Sequence, residues 1–132
     1  QVLEDPTIEA VAIETDEIYL TKYALLAAKA GKHIHMEKPG GRELEDFEAL
    51  IDLVKEKNLV FHTGYMYRYN PEIKKIIEMV KRGELGEIYS VTAEMSTRHS
   101  DEYREWLNHF RGGNMYIFGS HLIDLVVSLP KL

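Results

Sequence analysis

The chain has 132 residues, 45% of them hydrophobic and 29% charged, with a net charge of −6. That balance argues against a disordered chain, because there is enough apolar side chain to offset the ordering entropy, and no apolar stretch reaches the ~18 residues of a membrane span. The acidic balance, with a pI near 5.5, speaks against a nucleic-acid partner, which needs a basic face. The absence of cysteine excludes disulfides, thiol catalysis and a cysteine zinc site, and it fits a cytoplasmic protein.

In chain order, Gln1 to Asp5 reads as the last turns of a helix stopped by Pro6. Ile8 to Ile13 is a short β-rich run. Thr15 or Asp16 can cap the helix that follows, where Tyr19, Tyr23, Leu26, Ala27 and Ala30 share a face and Gly31 ends it. His33 to Lys38 returns to strand. A helix over 43–57 has an apolar stripe of Leu44, Phe47, Leu50, Ile51 and Val54, and Asn58 suits its stop. Leu59 to Thr63 is a third strand. Asn70-Pro71 opens a helix with a cap and an N1 proline; Ile73, Ile76, Ile77 and Val80 form its stripe, and Gly83 ends it. From Ile88 to Met95 the period changes to two, which predicts a half-exposed strand. A final helix covers about 114–128.

The order β-α-β-α-β-α implies parallel strands with helical crossovers. The alternating strand belongs to a different sheet with one open face, so a boundary is expected near Gly83–Gly86. The fold class is thus α/β, and the start at Gln1 and the apolar end at Leu132 read as those of an internal piece.

Ligands of open α/β sheets bind at the carboxyl ends of the strands. Three segments lie there: Glu14-Thr15-Asp16, Glu37-Lys38-Pro39-Gly40-Gly41, and Gly64 to Tyr69. Lys38 leaves a buried strand and is directed by Pro39, so its ammonium can polarise a hydroxyl or carbonyl oxygen. The plainer reading is a solvated charge paired with Glu37. Farther on, Ser120, His121 and Asp124 lie in the first turns of the last helix. His121 and Asp124 are spaced to share a face, where a carboxylate can orient an imidazole. The alternative is a core histidine bonded to a carbonyl. His33 and His35 lie on one side of a strand and form a candidate metal pair, but without a third ligand they predict no metal site. The charged segment Arg98 to Arg111, with His99, Tyr103, Trp106 and His109, is either a surface loop or one wall of a polar cleft suited to a sugar.

Taken together, these motifs resemble the glucose–fructose oxidoreductase / inositol dehydrogenase / MocA (Gfo/Idh/MocA) family of NAD(P)-dependent oxidoreductases. The resemblance covers nearly the whole chain. It rests on Ala30-Gly31-Lys32-His33 leading to Glu37-Lys38-Pro39, on Gly64-Tyr65-Met66-Tyr67-Arg68-Tyr69-Asn70-Pro71, on Gly83-Glu84-Leu85-Gly86-Glu87-Ile88, and on Gly112-Gly113 through His121 and Asp124. It implies the C-terminal half of a Rossmann-type parallel sheet in residues 1–83. Residues 84–132 then begin an α/β domain with an open antiparallel sheet, a substrate domain whose sheet makes oligomer contacts; a homo-oligomer is expected. By resemblance, Lys38 and His121 are catalytic; Thr15, Asp16, Glu37, Lys38 and Pro39 touch NAD or NADP; and Tyr67, Arg68, Trp106, His121 and Asp124 face a sugar or polyol. The implied reaction moves a hydride between the nicotinamide and a hydroxyl carbon, with His121 handling the hydroxyl proton.

Three departures stand out. The nine glycines never fall in G-x-G-x-x-G, so the turn that docks the pyrophosphate is missing and this piece is expected to bind NAD poorly. Ile117 stands where the family carries an aspartate four residues before the histidine. Thr15-Asp16-Glu17 replaces the family's Thr-Pro-Asn. Two alternatives therefore stand beside the dehydrogenase: a redox-neutral NAD-dependent glycosidase or lyase of the same fold, and a non-catalytic sugar-sensing relative.

Overall fold

The computed structural model describes residues 1–110 and 112–130. They divide into two compact units, Gln1–Gly64 and Tyr65–Leu132. The boundary expected near Gly83–Gly86 therefore lies inside the second unit.

The first unit is a parallel sheet of three strands in the order β1 (Ala10–Ile13), β2 (His33–Met36), β3 (Phe61–Thr63). Ala10 stands opposite His33 and Ile13 opposite Met36; Ile34 and Met36 stand opposite Phe61 and Thr63. Helices α1 (Leu20–Lys29) and α2 (Leu44–Glu56) make the two crossovers. Right-handed crossovers running in one direction across a sheet fall on the same face. Ile34 and Met36 are accordingly sealed beneath Leu20, Ala24, Ala27, Ala28, Leu50 and Val54. The other face carries Ala10, Ala12, His33, His35 and His62, and β1 alternates between exposed and half-buried side chains. Among the described residues this sheet is thus covered on one face.

Several boundaries move. Gln1 to Asp5 forms turns rather than a helix end, and the buried Lys32 donates from Nζ to the Asp5 carbonyl at 2.7 Å, tying this segment to the sheet. A 3-10 turn at Glu17–Tyr19 precedes α1. The buried side of α1 is Leu20, Thr21, Ala24, Ala27 and Ala28, while the expected stripe members Tyr19, Tyr23 and Leu26 are exposed. Small alanines let the helix approach the sheet closely, and close approach buries more than ring size does. In α2, Leu50 and Val54 are buried as expected, but Leu44 at the first turn is 65% exposed.

In the second unit, a 3-10 turn at Met66–Tyr69 leads into α3 (Pro71–Lys81). The Asn70 side chain accepts from the backbone N–H groups of Glu72 and Ile73 at 3.0 and 3.2 Å, as the Asn-Pro pair predicts. No residue of α3 is fully buried; its stripe faces an apolar groove shared with Leu122, Leu125 and Val126. The alternating run 88–95 forms no strand. Its period fits a sheet, but backbone groups become a ladder only when a neighbouring strand meets them, and none does among the described residues.

Conversely, part of the charged segment is helix α4 (Asp101–Leu107). Ser100 caps it, accepting from the Tyr103 N–H at 3.3 Å, with Asp101 and Glu102 in the first turn. Arg111 of that segment lies outside the described residues. The last helix runs without a break over the expected span; its first part is a π-helical turn at Met115–Gly119, which leads into α5 (Ser120–Ser128).

Candidate functional site

The two units each carry a cluster of chemically capable residues. In the first, the strand ends deliver Thr15, Glu17, Glu37 and Lys38 as half-buried side chains, Asp16 as an exposed one and Pro39 as a buried one. The Lys38–Pro39 peptide is cis. The loop after Pro39 is anchored to α1, because the Thr21 hydroxyl donates to the Gly40 carbonyl at 2.8 Å. Gly41 has φ +95°, and a Cβ there would lie 1.8 Å from the Thr21 hydroxyl oxygen, so only glycine fits. Glu37 turns back on its own backbone: its Oε2 accepts from the Lys38 N–H at 3.2 Å. Its carboxylate also covers Gly64, where a Cβ would come within 2.7 Å of Oε1.

Burial pushes the Lys38 ammonium below its usual pKa, opposed by the charges of Glu17 and then Glu37. The Glu17 carboxylate therefore favours the charged form of the lysine. Between the depressed folded pKa and the ordinary value of 10.5 the unfolded chain binds more protons, so this group's contribution to stability rises with pH across that window. Acylation of the folded chain, read residue by residue by mass spectrometry, is expected to give Lys38 a rate profile with a lower midpoint than a lysine side chain in a short unstructured peptide. Coincident midpoints would contradict the burial argument.

The histidine pair weighed from sequence is rearranged. His33 Nδ1 accepts from the Val60 N–H at 2.9 Å, and His35 meets His62 of β3, the two Nδ1 atoms 2.7 Å apart. The ring centroids are 4.9 Å apart and the planes 17° apart, so the rings lie almost end to end, with one Nδ1 donating to the other. Among the described residues no group of three or more His, Asp or Glu side chains is arranged to hold a metal ion.

In the second unit, His121 is buried on α5. Tyr65 and Tyr67 meet it edge-on, with centroids 5.9 and 5.1 Å away and planes at 88° and 82°. Asp124, also buried, does not serve His121 as the sequence spacing suggested. Arg68 takes it in a two-toothed bridge, Nε to Oδ2 at 2.7 Å and Nη2 to Oδ1. This bridge raises the pKa of the guanidinium. Burial pushes the Tyr65 phenol up, the Asp124 charge adds to that, and a hydrogen bond with Ser120 opposes it. Tyr65, Tyr67, Arg68, Ser120, His121 and Asp124 thus form one cluster.

Trp106 belongs to another. Its ring packs with Tyr103 and Phe110 at 5.1 and 4.7 Å, around the buried Leu107, Phe110 and Ile117. His99 lies between Tyr103 and Phe118, at 4.5 and 5.1 Å. Ile117 is 2% exposed in this aromatic core, so its side chain serves packing. The missed helix α4 builds that core; Ser100 followed by two acids was its signal, outweighed by the segment's polarity.

Residues 1–65 match the model of an oxidoreductase family with an NAD-binding Rossmann fold. Residues 73–130 match the GFO/IDH/MocA C-terminal domain. The chain belongs to the Gfo/Idh/MocA oxidoreductase family. Among its relatives, a levoglucosan dehydrogenase of Pseudarthrobacter phenanthrenivorans is 37% identical over 67% of this chain and 23% of its own. A myo-inositol 2-dehydrogenase of Thermotoga maritima is 30% identical over 65% of this chain and 26% of its own. In fold, the chain is similar to an NAD-binding protein from Listeria innocua, with a TM-score of 0.73 and 26% identity over 98% of this chain and 38% of that one. It is also similar to a scyllo-inositol dehydrogenase of Lactobacillus casei solved with NAD(H) and scyllo-inositol, with a TM-score of 0.75 and 24% identity over 96% of this chain and 38% of that one. The chain therefore spans well under half the length of these relatives. No described helix is long and apolar enough to cross a membrane.

Proposed function

We propose that this chain supplies the central part of a dehydrogenase that moves a hydride between NAD or NADP and a hydroxyl carbon of a sugar or polyol. The observation that carries the reading is Lys38. It is a half-buried amine at the carboxyl end of the middle strand of a parallel sheet, held below its ordinary pKa by burial. That edge is where α/β sheets take their ligands.

The residues fit one end of a dinucleotide. Thr15, Asp16, Glu37, Lys38 and Pro39 gather polar and charged groups at the strand ends, suited to a ribose and a carboxamide. The glycine turn that cradles a pyrophosphate is not among these residues, so the chain alone is expected to hold the cofactor weakly. A nicotinamide held there would supply the hydride acceptor or donor. Lys38 then donates a hydrogen bond to the substrate oxygen and stabilises its developing negative charge. His121 takes the hydroxyl proton during oxidation and returns it during reduction. Tyr67 supplies aromatic surface beside His121, and a second copy of the chain completes an oligomer.

A second reading, redox-neutral cleavage through transient oxidation, is favoured by the buried Ile117. Without an acid at that position, His121 lacks the family's usual partner. The protein as its gene encodes it, assayed with NAD and NADP against a panel of polyols and glycosides, is expected to accumulate reduced cofactor in step with a ketone product. Release of a leaving group without net reduced cofactor selects the second reading, and neither product removes both.

A further inference from the structure

His121 is the buried imidazole of the second unit, and what surrounds it comes from a segment distant in sequence. Tyr65 and Tyr67, which meet its ring edge-on, sit on the short segment that also holds Arg68. One polar link ties this segment to α5, the bridge from Arg68 to Asp124. Asp124 stands one helical turn beyond His121, on the same face. At that spacing an unpaired carboxylate would hold a proton on the imidazole. The Asp124 side chain is 7% exposed and that of Arg68 is 49% exposed, so the acid is the fixed partner and the guanidinium reaches in to it. A planar guanidinium that bonds both carboxylate oxygens sets direction as well as charge.

We propose that Arg68 and Asp124 are positioning residues for His121. Their bridge seats Tyr65 and Tyr67 against the imidazole and leaves Asp124 no unpaired charge with which to stabilise the imidazolium. The resemblance put both residues on the substrate side; here each is committed to the other. Tyr65 and Tyr67 meet the His121 ring; the charged groups of the same cluster are Arg68, from the segment that carries them, and Asp124, from the helix that carries His121. The π-helical turn contributes one titratable side chain, Tyr116, whose ring lies along Phe110. The proposal rests on the reading of His121 as the proton-handling group, but its test does not use turnover.

The test is an NMR titration of the histidine-labelled chain, with the His121 signal assigned by its absence from His121→Asn. Arg68→Gln leaves Asp124 charged and unpaired. The His121 midpoint is expected to rise by about one pH unit, and its ring contacts to Tyr65 and Tyr67 to weaken. Arg68→Lys keeps the charge and loses the fork, so the midpoint stays and the ring contacts weaken. Arg68→Gln with Asp124→Asn removes both charges and returns the midpoint to the parent's. A bridge that only stabilises the fold would lower the melting temperature of Arg68→Gln while midpoint and ring contacts stay in place; that result overturns the proposal. Should Arg68→Gln be too unstable to titrate, Arg68→Lys decides, because unchanged ring contacts there overturn it equally. If turnover proves independent of His121, the functional reading falls, while the titration still reports on the bridge.

Discussion

Replacing His121 by alanine, in the protein as its gene encodes it, is expected to lower kcat for polyol oxidation by about 10²–10⁴-fold. The loss comes from the proton transfer, because the imidazole is the group proposed to take the hydroxyl proton as the hydride leaves. Cofactor affinity is expected to stay near the parent's, since the residues proposed to hold the nicotinamide end are Thr15, Asp16, Glu37, Lys38 and Pro39 in the first unit. Restoring the proton acceptor from solution tests the assignment further: imidazole added to His121→Ala is expected to recover part of the rate in proportion to its unprotonated fraction. A rate unchanged by the substitution would return His121 to the role of a core histidine seated among tyrosines.

Leu50→Ala is expected to lower the stability of the first unit by about 2–5 kcal/mol. Leu50 is 0% exposed and packs in the cluster of Leu20, Ala24, Ala27, Ala28, Ile34 and Met36. The alanines opposite it cannot swing in to fill the space, so the cavity persists and the penalty falls toward the upper part of that range. Urea unfolding followed by circular dichroism, with hydrogen exchange at the amides of α1 and β2, measures the loss. A change below about 1 kcal/mol would mean that this core is not packed as described. The two substitutions separate the levels of the argument: one removes chemistry and leaves packing, the other removes packing beneath the strand that presents Lys38.

The elements that were legible in the sequence are those whose signals are local. Asn70 before Pro71 marked the start of α3 because an N-cap and an N1 proline act within a single turn. Asn58, with φ 53°, ended the α2 region as expected because a short amide side chain tolerates that backbone. The α/β class and the parallel order followed from the alternation of strands and helices. The strand end at Glu37-Lys38-Pro39 was legible for the same reason, since chemistry placed at the carboxyl edge of such a sheet is a consequence of topology.

What the tertiary structure decided is partnership. α1 has two apolar sides, and only packing chose the alanines over Tyr19, Tyr23 and Leu26. Asp124 is spaced to serve His121 and is taken instead by Arg68, 56 positions away in the chain. His35 shares a strand face with His33 and bonds to His62 of the neighbouring strand. Residues 88–95 have the period of a strand and no neighbour to make them one. Sequence periodicity fixes which face a side chain shares with its own neighbours, because that depends on a few backbone angles. Which distant group meets that face depends on how elements close on one another, and hydrogen bonds and ion pairs go to whichever group arrives with the right geometry.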